Sequence, residues 1–149
     1  MTRRDLDAVL RLEATTPEAP HWSQSTYETL LSRPGAALLF VAEEQGRIAG
    51  FLIAQAVADL CELESIVVDP RERRAGIGKA LFAELANTAG KLGLSLIQLE
   101  VRRGNISAIA FYGALGFRQE GLRHGYYHDP DDDAVLMSLA VAAGPKTAA

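Results

Sequence analysis

The chain has one cysteine, Cys61, among 149 residues. An internal disulfide framework is excluded. A lone thiol in a strand-like stretch reads as a buried, inert side chain rather than a nucleophile. Histidines number three, and no His/Cys cluster has the spacing of a metal site. No apolar run reaches the ~20 residues that a bilayer-crossing helix needs. Positive charge is not in excess either: the formal net charge is −4, which argues against a general nucleic-acid binder. No signal peptide is visible, because Arg3, Arg4 and Asp5 lead straight into an amphipathic stretch. These absences leave the expectation of a soluble cytoplasmic protein without metal, membrane or nucleic-acid partner; a monomer is assumed, since nothing in the sequence names the oligomeric state. No internal repeat or long linker divides the chain. A hydrophobic content of 48% supports one domain with a real core, expected over residues 1–141, with 142–149 as a frayed tail.

What is present is organised around residues 66–82. Ile66, Val67 and Val68 end a strand at Asp69-Pro70. A basic turn follows (Arg71, Arg73, Arg74), then Gly76-Ile77-Gly78-Lys79, then a helix with Ile77, Leu81, Leu85 and Ala89 in one apolar stripe. The first amides of a helix lack internal partners and its dipole favours anions there. Glycines allow close backbone approach, and the arginines and Lys79 add positive charge. A phosphate group suits such a place. The Walker A pattern GxxxxGK[ST] is absent, and Leu81 stands where a dinucleotide fingerprint needs its third glycine. An ordinary strand-to-helix turn is the plain alternative.

The rest of the chain reads as alternating elements. A helix is expected over 2–14 and a second, short one capped by Ser25, with Pro17 and Pro20 breaking the segment between. Strands are expected over 37–43 and 47–57 as a hairpin, then over 60–68. After the central helix, stopped by Gly93, come a strand over 94–101 and a helix over 106–115 with Asn105 as N-cap. Two strands, 117–127 and 134–141, flank an Asp-rich loop. The order predicts an α/β (α+β) fold, a mixed and mostly antiparallel sheet with helices on both faces.

Glu100 falls by alternation on one face with Leu94, Leu96 and Gln98. A carboxylate at the end of an apolar strand needs a partner or a purpose; Arg102 and Arg103 are the ready partners, and exposure at the sheet end is the other plain reading. Tyr112, seven residues beyond Asn105, shares its helix face, where a core aromatic is the ordinary reading.

The loop Arg73-x-x-Gly76-x-Gly78 resembles the [QR]xxGx[GA] pyrophosphate loop of the GNAT acetyltransferase superfamily. The pattern LEVRxxNxxAIxxYxxLGF, as it stands from Leu99 to Phe117, resembles the RimI-type protein N-terminal acetyltransferases of that superfamily. Arg123-x-x-Tyr126-Tyr127 and Asp133-Ala134-x-x-Met137 resemble its RxxYY and DAxxM segments. His21-Trp22-Ser23 resembles its PWS motif, with histidine in place of proline. The resemblance covers about residues 2–140.

It implies acetyl-CoA as cosubstrate, bound at a splayed strand pair. Ile66, Val67 and Val68 would offer strand backbone to the pantetheine arm. Arg73, Arg74, Ala75, Gly76, Ile77, Gly78 and Lys79 would hold the pyrophosphate, and Asn105 would reach the CoA arm. Glu100 would be the general base and Tyr112 the general acid. Trp22, Tyr126 and Tyr127 would wall the peptide side. The family normally opens with a strand before its first helix, and this sequence leads directly into helix. The implied reaction is direct acetyl transfer to a protein N-terminal α-amine, as on a ribosomal protein. A GNAT acting on a lysine or a small-molecule amine is the enzymatic alternative. A non-catalytic CoA-binding module and a general phosphate binder complete the set.

Overall fold

The structure, a computed structural model, describes residues 1–17, 19–73 and 75–142. A 3₁₀ turn at Arg3–Asp5 runs into helix α1, Leu6–Ala14; helix α2 is Gln24–Leu31. Strands β1 (Ala37–Glu44), β2 (Arg47–Val57) and β3 (Leu60–Val68) follow, then helix α3 (Ile77–Lys91), strand β4 (Leu96–Arg102), helix α4 (Ile106–Ala114), and strands β5 (Arg118–Tyr127) and β6 (Asp132–Ala140). Among the described residues these strands form one sheet in the order β1-β2-β3-β4-β6-β5. Every neighbouring pair is antiparallel except β3 and β4. The expected mixed, mostly antiparallel sheet is therefore present.

Strand alternation sends residues to two separate cores. On β2, Leu52 and Ala54 pack with Leu81, Phe82 and Leu85 of α3. Phe51 and Ile53 point the other way, to Leu6, Val9 and Leu12 of α1 and to Tyr27 and Leu30 of α2. β2 is buried on both faces along residues 49–54, as a central strand covered by helices should be. Full burial of Phe51 or Leu52 contributes about 1.5–3 kcal/mol each. Gly50 lets α3 sit this close: a Cβ there would lie 2.8 Å from the Val67 carbonyl and 3.1 Å from Ile77. Cys61 is fully buried, and burial pushes its thiol up to about 11, so it is an inert core residue as expected.

Several boundaries move. The cap of α2 is Ser23, not Ser25: Ser23 is extended and its Oγ accepts the Thr26 N–H. β4 begins at Leu96, and Leu94 is buried in the α3-side core rather than sharing a face with Glu100. Asn105 caps α4 as expected, its Oδ1 accepting from the Ala108 N–H at 3.2 Å. Among the described residues no strand precedes α1. The Met1 ammonium donates to the Leu39 carbonyl at 3.1 Å. The expected tail lies, from residue 143 on, outside the described residues.

Candidate active site

The site begins with a bulge. Ile53 pairs with Ser65 and Ala54 with Leu63, so Glu64 is an extra residue in β3. The consequence is visible in the cores: Cys61 and Leu63 face α3, but two further steps of alternation bring Val67 to α1 and α2. A bulge bends its strand and increases the local twist. Just before it, β3 and β4 are paired at Leu60↔Leu96, Cys61↔Ile97 and Glu62↔Gln98. Beyond Glu62 the two strands part, while β4 stays paired with β6 along its whole length.

The parted strands open a cleft of about 1240 Å³. Asp69 donates its N–H to the Ala49 carbonyl. By antiparallel alternation Val67 therefore also faces β2, and the N–H and C=O groups of Ile66 and Val68 face the gap. This unpaired length of backbone can receive an extended ligand as an added strand.

One end of the cleft is the start of α3. Arg73, Gly76, Ile77, Gly78 and Lys79 line it. Gly76 is the N-cap with φ 78°, left-handed, and no side chain caps the helix there. Among the described residues no partner outside the helix takes the first N–H groups of α3, which start beside two cationic residues. That donor set fits an anionic phosphate. Ala75 closes the turn with its N–H toward the Glu72 carbonyl and does not line the cleft. Arg71 is drawn away to Asp69, 2.9 Å from its carboxylate. Arg74 lies outside the described residues. Asn105 and Tyr112 line the cleft from the α4 side.

The other end is formed by the loop between α1 and α2 (Thr16, Pro17, Ala19, Pro20), by Glu64 and Glu100, and by Tyr127 from β5. Ile97, Leu99 and Val101 of β4 belong to the α3-side core, so Glu100 points to the opposite face. Its carboxylate lies 3.4 Å from the guanidinium of Arg123. The ready partners suggested by sequence are taken elsewhere. Arg102 donates to the Pro130 and His128 carbonyls and lies over the Tyr127 ring at 4.4 Å. Arg103 reaches Asp133. The negative charge of Glu100, above all, pushes the Tyr126 hydroxyl upward.

Tyr112 is wedged between Phe111 and Phe117, with ring centroids 5.4 and 5.5 Å away. Burial pushes its hydroxyl up to about 12, so it holds its proton throughout the neutral range. Trp22 is set behind the cleft wall, its ring packed on Tyr27 at 5.8 Å. Tyr126 stands outside the cleft, 47% exposed. Glu64 is the lining residue that sequence patterning passes over. Its side chain is open to solvent yet walled by the cleft, and that enclosure first, then Glu62, with Glu100 adding, raises its carboxyl. A bulge has no period to betray it.

A mixed sheet split at its parallel strand pair, with a helix N-terminus at one end of the split and a carboxylate and a buried phenol along it, is the architecture of an acyl-CoA-dependent transferase. The family model described as Acetyltransferase (GNAT) family matches residues 6–117, and the chain belongs to that family. It is 37% identical over 141 residues to the [Ribosomal protein bS18]-alanine N-acetyltransferase of Escherichia coli (strain K12), covering 93% of each chain. The crystal structure of the ribosomal-protein-S18-alanine N-acetyltransferase from Escherichia coli superposes with a TM-score of 0.85 at 34% identity, over 99% of this chain and 94% of that one. Ard1 from Thermoplasma volcanium gives 0.83 at 25% identity, with 95% of each chain covered. The chain is an N-acetyltransferase that uses acetyl-CoA. Among the described residues no group of three His, Cys, Asp or Glu side chains is placed to hold a metal, and no helix is long and apolar enough to cross a membrane.

Proposed function

We propose that the chain acetylates the N-terminal α-amine of a protein, a ribosomal protein as in the relatives' names, with Glu100 as general base and Tyr112 as general acid. The observation that carries this reading is the placement of the two groups along the parted strands. Glu100 is on the face of the α1–α2 loop, Tyr112 on the face of α3, and the gap connects them. An amine entering from the loop side meets a carboxylate. A sulfur held on the α3 side meets a phenol.

Elementary chemistry supports each role. Acetyl-CoA supplies an acetyl group already activated as a thioester. An α-amine has a pKa of about 7.7–8.0, so much of it arrives protonated and without a free lone pair. Glu100 takes that proton, directly or through a water, from the amine nitrogen. The N–H groups of Ile66 and Val68, which face the gap, are the donors for the negative charge that develops on the carbonyl oxygen. Tyr112 Oη gives its proton to the departing sulfur. The open N-terminal amides of α3, Arg73 and Lys79 hold the pyrophosphate, and Arg74, next to Arg73 in the sequence, is assigned with them. Asn105, its Oδ1 committed to the helix cap, offers its NH₂ to the CoA arm. Tyr127 forms the peptide wall, and Trp22 and Tyr126 support that side from behind and beside it.

The test is an acetylation assay on peptides with varied first residues, beside N-terminally blocked copies that carry lysine. Acetylation of free N-termini alone supports the reading. Transfer to the blocked, lysine-bearing copies favours the lysine alternative, and turnover of small amines alone favours the third.

A further inference from the structure

We propose that Glu13 is a positioning residue for the acceptor: through the backbone of Trp22 it fixes the loop that walls the acceptor end of the cleft. The inference rests on the acceptor end assigned above. Glu13 is in the last turn of α1 and only 2% exposed. A buried carboxyl group is costly unless its oxygens are satisfied. Its Oε1 accepts the Trp22 N–H at 2.9 Å, across nine residues. That bond ties the end of the α1–α2 loop back to the helix where the loop starts.

The loop is held at three more points. The buried Thr16 hydroxyl donates to the Leu12 carbonyl at 2.8 Å. Ala19 is buried in the α1/α2 core. The Trp22 ring rests on Tyr27, which meets Phe51 edge-on at 6.3 Å. Between these anchors His21 adopts φ 57°. A left-handed non-glycine residue of this kind persists only where its surroundings impose it, and the next N–H is the one that Glu13 takes. Thr16, Pro17, Ala19 and Pro20 reach the cleft as a result. Glu13 itself does not line the cleft, so no chemical step uses it. An apolar side chain would fill its place at lower desolvation cost, and the carboxyl oxygen has the loop backbone as its use.

Glu13→Met keeps the length of the side chain, suits a buried site and removes the acceptor oxygen. Glu13→Gln retains a carbonyl oxygen for Trp22. Expected for Glu13→Met is an acceptor KM raised about tenfold, with kcat and the acetyl-CoA Kd within about twofold of wild type. Glu13→Gln should bring KM back. A merely structural role would lower Tm and leave KM in place. A folded Glu13→Met enzyme with wild-type KM overturns the proposal. If neither variant folds, amide hydrogen exchange on the wild-type protein decides: a protected Trp22 N–H supports the anchor, and exchange at the rate of an open loop refutes it. KM is measured on whichever amine the wild type acetylates. A wrong acceptor assignment therefore shows as absent peptide turnover, separately from the fate of the anchor.

Discussion

The Glu100 carboxylate lies 3.4 Å from the Arg123 guanidinium, on a strand two places away in the sheet. Both side chains are partly exposed, and exposed pairs contribute about 0–1 kcal/mol to stability. A pair this weak leaves the carboxylate available for chemistry, and the proposed role as base gives a sharp expectation. Glu100→Gln should cost roughly 10²–10⁴-fold in kcat, the usual range for a general base. Raising the pH should restore part of the rate, since more amine then arrives deprotonated. Acetyl-CoA affinity by calorimetry should stay near wild type. A folded Glu100→Gln enzyme with wild-type kcat across the pH range sinks the assignment.

Tyr112 yields both a kinetic and a thermodynamic expectation. Tyr112→Phe should slow turnover, and high pH should rescue it less than Glu100→Gln, because the departing sulfur still lacks its donor. Stability behaves differently. Burial raises the hydroxyl from 10.0 to about 12 in the folded chain. A group whose folded pKa is raised keeps its full contribution below the unfolded value and loses it as pH climbs toward the folded one. Wild-type stability should therefore fall more steeply than that of Tyr112→Phe between about pH 10 and 12, by on the order of 2–3 kcal/mol in total. Urea melts of both proteins at pH 9 and at pH 11.5 measure the difference, and parallel curves would refute it. Cys61 and Tyr27, also raised, contribute equally to both proteins and cancel.

Gly76 joins backbone geometry to affinity. Its φ of 78° disfavours a Cβ, although no atom stands within 4 Å of where one would be. Space is available, and Gly76 is both the N-cap of α3 and a lining residue of the cleft. Gly76→Asp puts a carboxylate there. Acetyl-CoA affinity should fall at least about tenfold, or 1.4 kcal/mol. Calorimetric titration of the folded variant checks it, and unchanged affinity would remove the loop from the site. ATP should bind wild type far more weakly than CoA, since the Walker lysine and hydroxyl are missing.

The elements were legible where a period or a cap marks them. The α3 stripe, the Asn105 cap and the β1–β2 hairpin follow from local chemistry. Ser23 was hidden because Ser23 and Ser25 are equally good caps by type, and only the extended backbone at Ser23 decides between them. The Glu64 bulge carries no sequence mark: the splayed strand pair was implied by the family resemblance alone, and the place of Glu64 could not be read. Nor could Arg123 be found as the partner of Glu100. The pairing depends on β6 inserting between β4 and β5, a long-range fact that spacing does not encode.

The Asp-rich loop shows how structure narrows a charge hypothesis. Asp129, Asp131, Asp132 and Asp133 read from sequence as one negative patch near the peptide entrance. The structure divides them. Asp132 accepts the Gly104 N–H at 2.9 Å, and Asp133 accepts the Gly125 N–H at 2.9 Å with Arg103 and His124 beside it. The Gly125 bond, chiefly, holds the Asp133 carboxyl below the usual range. These two connect loops, and replacing them would confound charge with structure. Asp129 and Asp131 are exposed, with His128 3.5 Å from Asp131. Steering of a basic peptide acts at long range and is screened over about 8 Å at physiological salt. Changing Asp129 and Asp131 to Asn should then lower kcat/KM for a basic peptide severalfold at low salt and leave it nearly unchanged at high salt. Tm should hold, because neither exposed carboxylate ties the loop to a backbone N–H. Rates with equal salt dependence in both proteins would reduce these aspartates to a solvated turn.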